Sequence, residues 1–312
     1  MAWESSANDL LESTPPRHAP YRRALVVANP IAGRGKGGKA ARELSEGLRR
    51  LGIPASTHLT SGRGDARERV ARLEDDVDLV IAVGGDGTLR EVLEGLQDTS
   101  VPVGLLPLGT ANVLAGELGL PRDVHEALEV FAQRHTRRID VSRVNDELSF
   151  LVTGVGPDAM AVREVERLRR GAITKLHYVW ALFATLLRYR APKLKVEIDG
   201  DEVPGEYGFV MVSNTKCYAG VAQLDPATRM DDGRYEVYLF PARGRLQLIA
   251  IVLRGILRSL PGRLGTLHRA TQVRVTSPEP APYQVDGDYH GETPVEIAVP
   301  GRQVRLLTPP TS

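Results

Sequence analysis

Residues 84–88, Gly84-Gly85-Asp86-Gly87-Thr88, set three glycines around one carboxylate. Glycine reaches φ > 0 and lets the backbone approach a ligand closely. Amides at a helix start attract anions. An aspartate inside such a turn suits two tasks, holding Mg²⁺ or taking a proton from an attacking hydroxyl. Asp86 is the first catalytic candidate; a plain βα turn with a capping aspartate is the rival reading. Gly33, Gly35 and Gly38 fit G-x-G-x-x-G, and Gly33, Gly38 and Lys39 fit G-x-x-x-x-G-K. Both patterns lack a partner. A P-loop needs a hydroxyl after the lysine, and Ala40 stands there. A dinucleotide fold wants a carboxylate at the end of the second strand, and Thr60-Ser61-Gly62 stands there. What survives is a phosphate-handling loop with Asn29, Gly33 and Lys36 near a nucleotide. Gly109-Thr110-Ala111-Asn112 can hydrogen-bond a base, ribose or phosphate, or simply cap a helix.

Two acidic turns lie in the second half. Asp231-Asp232-Gly233 ends the run from Asp225. It reads as a bare turn, or as turn carbonyls plus one carboxylate suited to a hard cation. Val285-Asp286-Gly287-Asp288 reads as a hairpin, with Asp288 a second candidate acid.

The elements that must position these residues follow from the apolar pattern. A short buried strand is expected at 23–29, and further strands at 54–60, 77–83 and 101–107. Helices are expected at 39–51, 65–73, after Gly87 and after Asn112, with residues 30–38 a loop. Leu89, Val92, Leu93 and Leu96 repeat as one helix face. The alternation of strand and helix predicts a parallel sheet, doubly wound, with ligands beyond the carboxyl ends of its strands. All three glycine loops fall on that edge. Beyond residue 139 short alternating runs at 193–199, 207–213, 235–240, 272–276 and 295–299 predict an antiparallel sheet or sandwich. Helical inserts at 158–190 and 243–260 interrupt it. The expected division is a disordered tail at 1–21, an α/β nucleotide-binding domain at 22–139 with 300–308 returning to it, and a β-sandwich at 140–299.

Composition bounds the rest. A formal net charge of +1 gives no global field to recruit nucleic acid or membrane. The 34 arginines against 6 lysines read as genome composition. Cys217, the single cysteine, excludes an intramolecular disulfide. No apolar run is long enough to span a bilayer, so a cytoplasmic protein is expected. Local charge is another matter. The inserts gather arginines around apolar stretches, at 178–184 and 246–253, and residues 241–270 hold six arginines and no acid. Such helices suit an anionic membrane surface. Core-packing helices with solvated arginines fit as well.

In order along the chain, Asn29-Pro30 with its glycine loop, Thr60, Gly84-Gly85-Asp86-Gly87-Thr88, Gly109-Thr110-Ala111-Asn112, Asp231-Asp232-Gly233 and Val285-Asp286-Gly287-Asp288 resemble the diacylglycerol kinase catalytic family. That family includes soluble bacterial lipid kinases, sphingosine kinases and ceramide kinases. The likeness runs from about residue 23 to 308. The glycine-aspartate turn is shared with NAD kinases and phosphofructokinases. The 109–112 segment, followed by Leu118-Gly119-Leu120-Pro121, is similar to the lipid-kinase branch, and the Asn-Glu pair of an NAD kinase is absent.

The resemblance implies an α/β domain and a β-sandwich lipid domain, with ATP and a lipid meeting between them. It implies ATP phosphates at Gly84, Gly85, Asp86, Gly87 and Thr88, and a nucleotide environment of Asn29, Pro30, Gly33, Lys36, Thr60, Gly109, Thr110 and Asn112. It implies Asp86 and Asp288 as catalytic acids and Asp232 at a structural Mg²⁺. Two departures stand out. Val113 occupies a position where some relatives carry an acid, and Asp288 one where many carry Glu. The expectation is an ATP-dependent lipid kinase acting transiently at the inner face of an anionic membrane, with room for a homodimer. An NAD-kinase-like enzyme on a soluble substrate and a non-catalytic nucleotide- or lipid-binding regulator are the alternatives.

Overall fold

A computed structural model describes residues 21–167, 190–218, 222–241, 244–257, 260–299 and 301–310. The tail expected before residue 21 and the larger part of the first insert lie outside these residues. Tyr21, assigned to the tail by sequence, is buried, with the Arg134 guanidinium 3.9 Å from its ring centre.

The first half forms strands β1 (Ala24–Ala28), β2 (Ala55–Leu59), β3 (Leu79–Gly84), β4 (Val103–Pro107) and β5 (Thr136–Asp140). Helices α1 (Gly37–Arg50), α2 (Asp65–Ala71), α3 (Asp86–Gly95), α4 (Val113–Leu118) and α5 (Val124–Gln133) connect them. β3 shows why the sheet is covered twice. Val80 and Ala82 pack with Leu89, Val92 and Leu93 of α3, while Leu79, Ile81 and Val83 pack with Leu44 and Leu48 of α1 and Phe131 of α5. A strand apolar on both faces needs a helix layer on each.

Two local readings change. Residues 32–35 form a helical turn, kinked where Gly33 and Arg34 both have φ 61°. α1 starts at Gly37, earlier than the sequence implied, because Gly37 packs against backbone: a Cβ there would lie 2.0 Å from the Asn29 carbonyl oxygen. The helix expected after Asn112 is short, because Gly119 at φ 65° ends it, and α5 begins anew behind Asp123. The Asp123 carboxylate accepts the amides of His125 at 2.8 Å and Glu126 at 3.3 Å, a side-chain N-cap.

The second half contributes β6 (Ser142–Val144), β7 (Glu147–Ser149), β8 (Val152–Val155), β9 (Leu194–Ile198) and β10 (Asp201–Ser213). A small ribbon pairs β11 (Cys217–Tyr218) with β12 (Ala222–Gln223). β13 (Tyr235–Pro241), β14 (Thr266–Ala270), β15 (Gln272–Thr276), β16 (Pro282–Val285), β17 (Asp288–Glu292) and β18 (Val295–Ala298) complete the antiparallel sheet. Helix α6 (Pro157–Arg167) follows β8, and α7 (Arg245–Leu257) follows β13.

The long strand β10 folds this sheet upon itself. Its first part pairs with β9 and its last part with β8 and β13, with register shifts near Val203 and Tyr207. Its alternate residues then serve two cores. Val210 and Val212 face Val196, Val275, Val295 and Ile297 inside the sandwich. Phe209 and Met211 join Leu89 and Leu114 of the first half, and Phe209 stacks on Phe240 at 5.3 Å between ring centres.

The last strand, β19 (Gln303–Leu307), leaves the sandwich and enters the first sheet, whose order is β2-β1-β3-β4-β19-β5. It runs parallel to β4 and antiparallel to β5.

Candidate active site

Four of the predicted segments leave the same edge of the first sheet. The ladder runs one step past each strand: Asn29 donates its amide to Val83 O at 3.0 Å, Thr60 to Ala28 O at 2.8 Å, and Leu108 to Gly84 O at 2.7 Å. Asn29, Thr60, Gly84 and the 109–112 loop are thereby neighbours. Pro30 and Gly33 follow Asn29 within the same loop, where a Cβ on Gly33 would come 3.4 Å from Leu108 Cβ. Lys36, Gly87 and Thr110 are exposed at this edge, while Thr88 and Asn112 are buried.

Two glycine loops touch backbone to backbone. A Cβ on Gly109 would lie 2.6 Å from Gly85 Cα and 2.6 Å from Asn112 Oδ1, so neither loop tolerates a side chain at the crossing. A Cβ on Gly84 would meet Thr88 Oγ1 at 2.4 Å. Asn112 takes φ 48°, and its Nδ2 donates to Gly109 O at 2.7 Å. Its buried Oδ1 has no hydrogen-bond partner in the structure. An acceptor stranded at a helix-terminus crossing is a feature that a bound polar ligand would relieve.

Asp86 opens α3 and also caps its neighbour. Its Oδ2 accepts the Val113 amide at 2.9 Å and its Oδ1 the Leu114 amide at 3.4 Å. Burial pushes the Asp86 carboxyl above its ordinary range, against the pull of those two amides, and the Asp286 charge pushes the same way. Val113 thus serves through its backbone.

Arg90 lies one helical turn beyond Asp86 and is buried. Its Nη1 donates to Val285 O at 2.9 Å and its Nη2 to Asp288 Oδ2, and its Nε lies 3.8 Å from Glu94 Oε1. One guanidinium from the first domain therefore holds the acid-bearing hairpin of the second. Burial would lower the Arg90 pKa, but Asp288, Asp286 and Glu94 outweigh it and keep the cation charged. Beside them the His290 imidazole, 3.6 Å from Glu147, is held neutral-leaning by burial and by Arg90.

Sequence reasoning missed Arg90, although its spacing of four from Asp86 was a usable signal. It also read Asp286 only as a turn residue. The Asp286 carboxylate accepts from Ser149 Oγ at 2.8 Å and from the amides of Phe150, Leu151 and Val152 at 3.1, 3.0 and 3.0 Å, which anchors the hairpin. Asp158 carried no signal at all. Half-buried at the start of α6, it accepts from Gln284 Nε2 at 3.1 Å and Tyr218 hydroxyl at 3.4 Å, and loss of solvation raises its pKa to about 6. Gln284 Oε1 in turn accepts the Gly287 amide at 2.7 Å, next to Asp288.

Asp232 does not join this group. It is exposed, and its Oδ1 turns back to accept the Arg234 amide at 3.1 Å. Met230 O accepts the Asp140 amide at 2.6 Å, and Asp231 pairs with Arg229 at 3.1 Å. A hollow of about 220 Å³ beside the turn is lined by Arg137, Lys216 and Arg229 against Glu117 and Asp231. No cluster of three metal-binding side chains occurs among the described residues. The Mg²⁺ that the resemblance implied here would have the Asp232 carboxylate and the carbonyls of the turn to hold it. A larger hollow of about 610 Å³, lined by Tyr21, Asp98 and Arg134 among others, sits at the opposite, amino edge of the first sheet. That is the wrong edge for a ligand of such a fold.

Comparison with known proteins agrees with the fold and the order of its two halves. Residues 23–144 match the model of the diacylglycerol kinase catalytic domain, and residues 151–308 match that of the YegS C-terminal NAD kinase beta sandwich-like domain. A diacylglycerol kinase of Bacillus subtilis is 28% identical over 296 residues, covering 92% of this chain and 97% of its own. One from Staphylococcus haemolyticus is 26% identical over 292 residues, covering 92% and 88%. The crystal structure of a diacylglycerol kinase from Bacillus anthracis superposes with a TM-score of 0.71 at 20% identity, covering 94% of this chain and 99% of that one, a likeness of fold. With both domains matched in order, the chain belongs to the diacylglycerol kinase catalytic family, which shares its sandwich with the NAD kinases.

Proposed function

We propose that this protein is an ATP-dependent lipid kinase that moves the γ-phosphoryl group of ATP to a hydroxyl of a diacylglycerol-like or sphingoid lipid. The observation that carries the reading is the Arg90–Asp288 pair. It brings an acid of the sandwich to the helix whose first turn is the glycine-aspartate loop.

The triphosphate would lie on the first amides of α3, which have no partner within the helix, with Lys36 exposed nearby. Asn29, Thr60, Thr110 and the stranded Asn112 Oδ1 offer polar contacts for the nucleoside side. ATP arrives as its magnesium complex, and the ion neutralises charge on the transferring phosphoryl group. Asp86, with two amides already on its carboxylate, keeps its outer lone pairs for that complex while it fixes the second loop. In the transfer, the lipid oxygen forms a bond to the γ-phosphorus as the bond from that phosphorus to the β-γ bridging oxygen breaks. ADP leaves with the bond's electron pair, and the hydroxyl proton passes to a carboxylate and then to water. Asp288 accepts that proton in this scheme, and Asp86 is the second candidate.

The test is labelling from radioactive ATP across detergent-dispersed diacylglycerol, sphingosine and phosphatidylglycerol, with NAD in parallel. Lipid labelling is expected, and Asp86→Asn and Asp288→Asn are each expected to lower turnover roughly 100-fold or more. Labelled NAD, or no ATP-dependent product, would replace this reading with an NAD-kinase-like enzyme or a non-catalytic regulator. Asp86→Asn turnover within a few-fold of wild type would remove Asp86 from the mechanism. Cytoplasmic residence with transient contact to the inner membrane face belongs to the same proposal. No described helix is long and apolar enough to cross a membrane.

A further inference from the structure

Helix α7 is apolar on the wrong side. Leu248, Ile251 and Gly255 face inward, and Ile251 joins the core that holds Phe209, Tyr238 and Phe240. Its outward face carries Leu246 (84% exposed), Ile249, Leu253, Ile256 and Leu257 (76% exposed). Five of the eight exposed large apolar side chains among the described residues thus lie on one helix of 13 residues. The spacing 246, 249, 253 and 256 keeps them in one stripe. Monomeric soluble surfaces seldom leave such a stripe in water.

The charge around it chooses the occupant. Residues 241–270 contain no acid and six arginines. Arg245 is exposed at the helix start. Arg254 is half-buried and packs on Gly262, where a Cβ would meet its Nε at 2.0 Å, so it is not an outward cation. Arg163 of the other insert pairs with Glu292 at 3.5 Å and lies over the Tyr289 ring. The basic-face picture drawn from sequence therefore shrinks, and the aliphatic stripe becomes the main feature. An acid-free aliphatic stripe with a cationic edge fits the interfacial layer of an anionic bilayer.

Its position connects it to the site. Gly255 packs on Ala222 of β12, with a Cβ position 3.0 Å from the Ala222 Cβ. Ala222 pairs with Tyr218, whose hydroxyl reaches Asp158, which Gln284 links to the Asp288 hairpin.

We propose that the outward face of α7 inserts into the interface of a lipid bilayer, chiefly by burying Leu246, Ile249, Leu253, Ile256 and Leu257, and so presents the membrane to the Tyr218–Asp158 side of the cleft. The inference shares a lipid substrate with the function proposed above, but its test needs no turnover.

Full-length protein is sedimented with vesicles of phosphatidylcholine containing about one-third phosphatidylglycerol, at low and high salt. Wild type is expected to bind, and to keep most of its binding at high salt. Leu246→Ser with Leu253→Ser together is expected to weaken partitioning roughly tenfold or more. Both side chains are exposed, so the fold is retained, and circular dichroism checks it. Activity on detergent-dispersed lipid stays unchanged in the double variant while activity on vesicle-held lipid falls. Equal binding of variant and wild type would overturn the proposal, as would binding abolished by salt alone. So would a wild-type dimer that the double variant converts to monomer, since a second copy would then cover the stripe. Wild type that ignores vesicles until residues 178–184 are made polar would overturn it in favour of an internal cover. Failure of kinase activity in micelles bears on the function proposed above and leaves vesicle binding as measured.

Discussion

Asp158 is an acid held where charge is unwelcome. Its pKa moves from an ordinary value of 3.8 to about 6 because burial disfavours the carboxylate more than Gln284, the Ala159 amide and Tyr218 favour it. The sign follows directly: a folded pKa above the unfolded one stabilises the protein fully below about pH 4 and loses that contribution as pH rises through about 6. A shift of about two pK units corresponds to about 3 kcal/mol. Asp158→Asn is expected to flatten the stability profile between pH 4 and 6.5 by up to that amount, read from urea unfolding at several pH values. A variant whose slope matches wild type would show that Asp158 is solvated. No spacing rule flags this residue, because its burial is created by Gln284 and Tyr218, 126 and 60 positions away. Asp86 was legible because its glycines announce it. Its second task, capping α4 across 27 residues, was not.

At the scale of elements, the meeting of two glycine loops governs the site. The sequence shows each loop as strand, glycine and helix start, and β1 to β4 were expected near their observed bounds while β5 was not. Nothing local says that Gly85 and Gly109 touch, because that contact depends on β3 and β4 lying side by side. Gly109→Ala places a Cβ 2.6 Å from the Gly85 backbone, which side-chain adjustment cannot relieve. A cost of roughly 1–3 kcal/mol is expected, as for overpacking elsewhere. Turnover is expected to fall further than stability does, because the amides of both loops shift together. Thermal unfolding and kinase assay on the same sample check this; full activity in a destabilised variant would contradict it. The sandwich was less legible than the first sheet. β10 spans 13 residues and the expected run began only at Tyr207. Its solvent-facing first part, Asp201 to Glu206, is held by cross-strand pairing with β9 and lacks an apolar pattern.

At the scale of the whole molecule, α3 is the shared part. Arg90 leaves its side to reach Val285 and Asp288, and Arg302 donates to the carbonyls of Leu93 and Leu96 at its carboxyl end. A cation at that end also suits the helix dipole. Arg90→Ala removes a buried cation with partners in both halves, and a loss of roughly 3 kcal/mol is expected, the lower end for a broken buried pair because Asp288 is partly solvated. Loosening between halves should appear as new proteolytic cuts around Asp288 before global unfolding. Unchanged cleavage would mean that the apolar contact of Leu89 and Leu114 with Phe209 and Met211 holds the halves unaided.

The placement of β19 carries a consequence for synthesis. β4 and β5 do not pair with each other; the strand between them is Gln303–Leu307, made after the whole sandwich. On a ribosome that delivers the amino end first, the first sheet waits with two open edges and an unfilled slot beside Val103 and Ile139 while the sandwich emerges. The half encoded first is therefore completed last. A released chain ending before residue 303 would hold every strand of the sandwich beside an unfinished nucleotide domain.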